Sequence, residues 1–242
     1  MNLTLIHFYP DLMSLYGSYA NLLVLRRSLE ALGNTVTVIP VRPGEEVDLG
    51  EADFLFMGAG TERAQKDALS DFERYREAVK FAADHDVAML FAGTAMELLG
   101  KSIVDADGKT WDGIGLGSFV STQQSHRKVE DVLGTTDLYD GPVVGFMNKG
   151  SIITGVETPL LNALTLGFGN EAPLGPEGFR YKNVLGSQLT GPLLVKNPRL
   201  LDHVVDAIYA RRGETIPADR SHDHWAEDGY QITASELAKR VK

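Results

Sequence analysis

The sequence predicts an α/β fold: a mostly parallel central sheet, with antiparallel strands added to the same domain. Three observations carry this expectation. Short apolar runs alternate with helical spacing through the first hundred residues, the order that builds a layered sheet with crossover helices. The run Val87-Ala88-Met89-Leu90-Phe91-Ala92 stops at Gly93 and resumes with helical spacing through Leu99-Gly100, which reads as strand, tight turn and helix. Beyond Gly100 the helical spacing gives way to short strands punctuated by Gly113, Gly115 and Gly117, the pattern of added antiparallel strands.

Residues 3–8 read as the first strand, short and rich in strand formers, and Pro10 ends it. Leu22, Leu25, Leu29 and Leu32 then recur at helical spacing, with Gly33 as the C-cap. Residues 36–41 and 53–57 are the second and third strands. Gly58-Ala59-Gly60-Thr61 follows the third directly, and residues 62–83 read as one or two helices. The fourth strand, 87–91, leads into the turn at Gly93. A small-residue loop after one strand and a tight turn after its neighbour meet at the carboxyl edge of a parallel sheet, where such sheets place their sites.

Asp105-Ala106-Asp107-Gly108-Lys109 reads as a hairpin turn, and 143–146, 151–153 and 164–166 as short strands. Residues 181–187 make another strand, and Pro198 starts a helix closed by Arg211, Arg212 and Gly213. One domain over residues 1–213 and a polar tail over 214–242, with a short helix near Ser235, are expected. No polar linker divides the domain, and no internal repeat occurs.

Composition narrows the function classes. A formal charge of -10 argues against nonspecific nucleic-acid binding. No apolar run approaches the roughly 20 residues needed to cross a bilayer, and no basic patch precedes the first apolar stretch, so neither a membrane span nor a signal peptide is expected. With no cysteine there is no disulfide, thiolate nucleophile or cysteine metal site, which suits a cytoplasmic location.

The turn at Gly93 has the form that presents nucleophiles in many α/β enzymes, yet glycine offers no attacking atom. Thr94 is adjacent and carries a hydroxyl, which attacks only beside a base; helix initiation is its commoner role. Gly58, Ala59 and Gly60 form a loop whose N–H groups suit an anion, or simply a turn. They lack the phosphate-loop lysine pattern. His126, Arg127 and Lys128 make a basic spot suited to a carboxylate, or a solvated turn. Lys149, between Asn148 and Gly150, reads as a polar surface turn. His222 and His224 with Asp219, Asp223 and Glu227 could hold a metal, but an acidic tail has the same composition. No metal and no cofactor are assigned.

Several segments in fixed order carry a family resemblance: Leu15-Tyr16-Gly17 with Asn21; Gly58-Ala59-Gly60-Thr61-Glu62-Arg63-Ala64-Gln65; the turn through Leu99-Gly100-Lys101; Gly145-Phe146-Met147-Asn148-Lys149-Gly150; and Asn183-Val184-Leu185-Gly186-Ser187-Gln188-Leu189-Thr190-Gly191-Pro192. With them the chain resembles the type 1 glutamine amidotransferases of the cobyric-acid-synthase branch, and within it the GatD-like glutaminase subunits that work with MurT ligases in lipid II amidation. The resemblance implies a three-layer class I glutamine amidotransferase-like fold. It puts Gly93 at the position of the catalytic cysteine and Thr190 at that of the histidine base. Thr94 and Ala95 match two glycines, Met96 an aromatic residue and Glu97 a glutamine.

Both the nucleophile and its base are therefore replaced, and conventional glutaminase activity is expected to be absent. Candidate ligand-binding positions remain: Gly58, Ala59 and Gly60 at the oxyanion loop, Thr94, Arg127 at the substrate-carboxylate position, Asn148, and Lys149 in place of a histidine. The resemblance implies a MurT-like ligase of the Mur family as partner and glutamine or another small carboxylate as ligand. It implies neither nucleic-acid binding nor membrane insertion. The leading expectation is a noncatalytic amidotransferase-like subunit that supports or regulates such a ligase. The alternatives are a glutamine-binding or glutamine-hydrolysing subunit with a changed site, supplying ammonia for lipid II or cobyric-acid-type amidation, and a structural or small-ligand-binding protein without a ligase partner.

Overall fold

A computed structural model describes residues 1–217 and 224–241. Its first sheet has the strand order β10-β11-β4-β3-β1-β2. β1 (Asn2–Phe8), β2 (Thr35–Val41), β3 (Phe54–Met57), β4 (Ala88–Ala92) and β11 (Val184–Ser187) pair in parallel, and β10 (Phe179–Tyr181) adds an antiparallel edge. β3 and β4 are buried at every position, as expected of strands covered on both faces. Pro40 sits in β2, the other edge, where a missing N–H costs no ladder bond.

Helices cover both faces. α1 (Ala20–Ala31) and α5 (Pro198–Arg212) pack on one side through Leu22, Leu25, Leu29, Leu200, Val204 and Ile208. α2 (Glu62–Phe72) and α3 (Arg76–Asp84), separated by a 3₁₀ turn, cover the other through Ala68, Leu69, Phe72 and Val79. Thr61 caps α2 by accepting the Ala64 N–H at 3.1 Å. Gly213 ends α5 in the left-handed region at φ 66°.

The second sheet runs β12-β8-β7-β5-β6, with β12 the two-residue strand Leu189–Thr190. The expected hairpin turn at 105–109 joins β5 (Ser102–Val104) to β6 (Thr110–Asp112). Strand bounds depart from the sequence reading in three places. The segment 120–135 is one sixteen-residue strand, β7 (Val120–Thr135), and the two short strands expected at 143–153 are one, β8 (Pro142–Thr154). The run 123–131 is polar because it is exposed or half-buried, and pairing with β8 at Gln123 and again from Lys128, across a register shift, holds it in the strand without an apolar pattern; β9 (Ala163–Leu166) pairs only with the end of β7, Leu133–Thr135. The strand expected at 181–187 is two, β10 and β11, split by a turn at Lys182, φ 49°.

The expected helix after the turn at Gly93 is a 3₁₀ helix, Gly93–Leu99. The next loop ends it: N–H groups of Ile114, Leu116 and Gly117 bond to the Leu98 and Leu99 carbonyls at 2.9–3.0 Å, taking acceptors that a longer helix would use.

A short helix α4 (Leu193–Lys196) precedes α5. Asn197 joins both to the second sheet: its Oδ1 accepts the Val144 N–H at 2.8 Å, and its Nδ2 donates to the carbonyls of Val144 and Leu193 at 2.9 Å. A last helix, α6 (His224–Ala238), lies on β7 and β8 and buries Tyr230 and Leu237 against Leu133 and Val144.

Candidate functional site

β11 and β12 (Leu189–Thr190) are one length of chain that leaves the first sheet and joins the second. Gln188 is the crossing residue, and a buried glutamate fixes it. Glu177 Oε1 accepts the Gln188 N–H at 2.7 Å, and Oε2 accepts the Ser187 hydroxyl at 2.9 Å. The crossing brings Thr190 beside the turn after β4. Gly93 has φ 63°, so it keeps the left-handed backbone of a nucleophile-presenting turn. A Cβ built there would lie 3.8 Å from the Thr190 methyl and only 2.6 Å from the Ala59 methyl. Thr190 turns its hydroxyl away, donating to the Phe146 carbonyl at 3.2 Å.

The neighbouring hydroxyl is also committed. Thr94 Oγ1 accepts the Gly60 N–H at 2.9 Å and donates to the Gly60 carbonyl at 3.0 Å. A hydroxyl bonded in both senses to the backbone of one residue has no base to activate it. The same geometry closes the small-residue loop. The Ala59 N–H is bonded to Ser18 Oγ at 3.2 Å and the Gly60 N–H to Thr94. Each would have to break an internal bond to receive an oxyanion. Gly58 is pressed against Ser18 and the Met13 carbonyl and lies outside the cavity lining.

Above the turn, Arg127 on β7 holds two partners. Its Nε donates to Asn148 Oδ1 at 2.6 Å, one terminal nitrogen donates to the Asn148 carbonyl at 2.5 Å, and the other pairs with Glu62 in the first turn of α2. Asn148 Nδ2 donates to the Tyr16 hydroxyl at 2.9 Å. Tyr16 itself has φ 58°, unusual for a bulky residue. Tyr16, Asn148, Arg127 and Glu62 thus roof the turn from four separate segments.

Lys149 is not the expected surface turn. It is buried within β8, and its ammonium donates to the carbonyls of Gly169 and Asn170. Burial lowers its pKa to about 8, against the opposing pull of Glu177, Glu97 and Glu130. Glu97 is buried too. It accepts hydroxyl bonds from Ser121 at 2.5 Å and Ser151 at 3.2 Å and an amide bond from Gln188 at 3.2 Å. Burial pushes its carboxyl pKa up, with those bonds opposing.

The cavity enclosed by Ala59, Gly60, Gly93, Thr94, Arg127, Asn148, Lys149 and Thr190 measures about 10 Å³. That is about one water probe, against the roughly 300 Å³ or more of ordinary ligand sites. So the structure brings together every candidate position except Gly58, around almost no space. Sequence reasoning missed Tyr16, Glu62 and Gln188 as parts of the site, and the Ala59 methyl as its filler. Leu15-Tyr16-Gly17 was a visible signal for the first, and Glu62 and Gln188 lie within segments that carry the family resemblance without being singled out there.

The alternative bases lie elsewhere. His126 is exposed beside Ser125, and His203 lines a separate cavity with Tyr139 and Arg199. Of the metal candidates in the tail, Asp219, His222 and Asp223 lie outside the described residues. Among the described residues no His, Asp and Glu group could hold a metal ion.

A parallel sheet with an antiparallel edge, covered by helices and carrying a tight turn after a central strand, defines a class I glutamine amidotransferase-like protein. The solved structure of a glutamine amidotransferase shares the fold, with a TM-score of 0.53 at 15% identity over 84% of this chain and 98% of that one. Residues 4–198 match the CobB/CobQ-like glutamine amidotransferase domain, and the chain belongs to that family. It is 30% identical over 241 residues to the GatD subunit of the glutamine-hydrolyzing lipid II isoglutaminyl synthase of Staphylococcus aureus (strain N315), covering 99% of this chain and 98% of the relative. The corresponding Streptococcus pneumoniae (strain ATCC BAA-255 / R6) subunit is 30% identical over 217 residues, 88% of this chain and 84% of the relative. Within this GatD-like group the chain is a degenerate member: it has no cysteine with which to hydrolyse glutamine.

Proposed function

We propose that this chain is the noncatalytic, amidotransferase-like subunit of a complex with a MurT-like amide-forming ligase, which it supports or regulates in the cytoplasm during lipid II amidation for peptidoglycan. One observation carries the noncatalytic part. The place of the attacking side chain is filled by the Ala59 methyl, 2.6 Å from where a Cβ at Gly93 would stand. The partner is supported by the two GatD relatives, each named as a subunit of a lipid II isoglutaminyl synthase. A soluble location fits the described residues, which include no helix long and apolar enough to cross a membrane.

The test has two arms. Purified protein, alone and mixed with the MurT-like ligase of the same genome, is assayed for ammonia release from glutamine and for stable association. Association without ammonia release is expected. Ammonia release that depends on Thr94 would overturn the noncatalytic assignment, and no association would overturn the partnership.

A second reading, binding of glutamine or another small carboxylate by Gly58, Ala59, Gly60, Thr94, Arg127, Asn148 and Lys149, draws on Arg127 at the mouth of the cavity. It requires the Arg127 guanidinium to exchange Glu62 for the ligand. Calorimetric titration with glutamine tests it, and absence of saturable heat would remove it.

A further inference from the structure

Eleven large hydrophobic side chains are exposed among the described residues, and four of them, Leu15, Tyr16, Tyr19 and Leu23, fall within nine positions of the chain. Such clustering is not the scatter of single exposed apolar groups that soluble surfaces tolerate. A fifth joins them from another element. The Leu194 N–H bonds to Asn21 Oδ1 at 2.7 Å, which sets Val195 beside the first turn of α1. An added Cβ on Gly191 would stand 3.6 Å from the Tyr16 carbonyl, so the segment leading into α4 abuts the same turn. Tyr19 and Leu23 are one helical turn apart, and the stripe continues into Arg26 and Arg27. Arg26 pairs with Glu30, while Arg27 makes no ion pair with any described residue.

The patch also rims the site. Leu15 donates its N–H to the Ala59 carbonyl at 2.9 Å, and the Tyr16 hydroxyl takes the Asn148 bond. Tyr16 displays its ring from a left-handed backbone at φ 58°, a conformation that costs an ordinary side chain energy and persists where surroundings enforce it. An aromatic and aliphatic centre bordered by arginine is the composition of protein interfaces.

We propose that Leu15, Tyr16, Tyr19, Leu23 and Val195 form the docking surface for the amide-forming ligase subunit, and that Arg27 meets an acidic side chain on it. The inference rests on the ligase partnership proposed above and adds where the ligase sits. Two features favour this occupant. The surface borders the site itself, where Leu15 bonds to the Ala59 carbonyl and Tyr16 to Asn148, so a subunit seated there lies over the turn at Gly93. Arg27, without an ion pair to any described residue, stands on a chain of net charge -10, so it favours an acidic counterpart that the rest of the surface would repel.

Affinity for the purified ligase is measured by surface plasmon resonance for the unaltered protein, for Tyr19→Glu and Leu23→Glu, and for Phe81→Glu. Phe81 is 62% exposed on α3, remote from the patch in the fold. Circular dichroism and thermal unfolding confirm that each variant folds. The expected result is at least about tenfold weaker binding for the first two, unchanged binding for Phe81→Glu, and binding of the unaltered protein that weakens with salt. Equal affinity of all four proteins would overturn the docking surface and leave the partnership standing. Equal loss in Phe81→Glu would also overturn it. Absence of binding by the unaltered protein would overturn both.

Discussion

Restoring a thiol at the turn is the sharpest perturbation, because it would be the only one in a cysteine-free chain. Gly93→Cys places a Cβ at φ 63°, 2.6 Å from the Ala59 methyl. The left-handed backbone costs a side chain about 1–2 kcal/mol. Carbon contacts are comfortable near ~3.5–4.0 Å, so about 1 Å of overlap must be relieved. Ala59 cannot yield freely, since its N–H is bonded to Ser18 and its carbonyl to Leu15. Overpacking of this kind costs about 1–3 kcal/mol. Gly93→Cys should therefore lose about 2–5 kcal/mol in urea unfolding, a large part of the roughly 5–15 kcal/mol of a typical domain.

Ala59→Gly opens the space. The double variant should recover about 1–3 kcal/mol relative to the sum of the single changes. Its thiol should react with a small disulfide reagent faster than that of Gly93→Cys alone. Neither variant should hydrolyse glutamine, because Thr190 offers no base. If Gly93→Cys unfolds within about 0.5 kcal/mol of the unaltered protein and Ala59→Gly shows no coupling to it, the Ala59 methyl does not fill the site and the argument fails.

Three further outcomes are expected. Thr94→Val leaves the Gly60 N–H and carbonyl without their partner and should destabilise by about 1–3 kcal/mol, read by chemical unfolding; Thr94→Ser should cost less. Asn197→Ala removes three buried bonds that tie α4 and α5 to β8 and should cost about 3 kcal/mol, seen as a fall in the urea midpoint. His7 is buried with Nε2 unpaired, and burial lowers its pKa from 6.5 to about 4. Between those values the unfolded chain binds more protons, so stability falls as pH drops from 6.5 toward 4. His7→Phe should flatten that part of the stability–pH curve by up to about 3 kcal/mol.

The first half of the fold was legible because its strands are apolar runs and its helices carry leucines at regular spacing, as in α1. The missing catalytic groups were legible too, since absence of cysteine is read directly. β7 was not: a strand whose residues are mostly solvent-facing over 123–131 shows no alternation, and only its ladder to β8 makes it one. Lys149 reads as a surface residue because charge normally marks one. Its burial depends on the Gly169 and Asn170 carbonyls twenty residues onward. The filling of the site was hidden for a similar reason. Ala59 looks like any small loop residue until the chain folds it against Gly93.

The crossing at Gln188 limits how this cavity can ever change size. Its floor lies where the chain passes from β11 in the first sheet to β12 in the second, with Glu177 clamping the passage. A guest wedging Gly93 away from Thr190 would have to pull those sheets apart. The roof is fastened more lightly, by a half-exposed Arg127–Glu62 pair and the Asn148 bond to Tyr16, and exposed pairs contribute little. Any enlargement must therefore lift the lid outward, and a protein seated on Tyr16 would hold its handle.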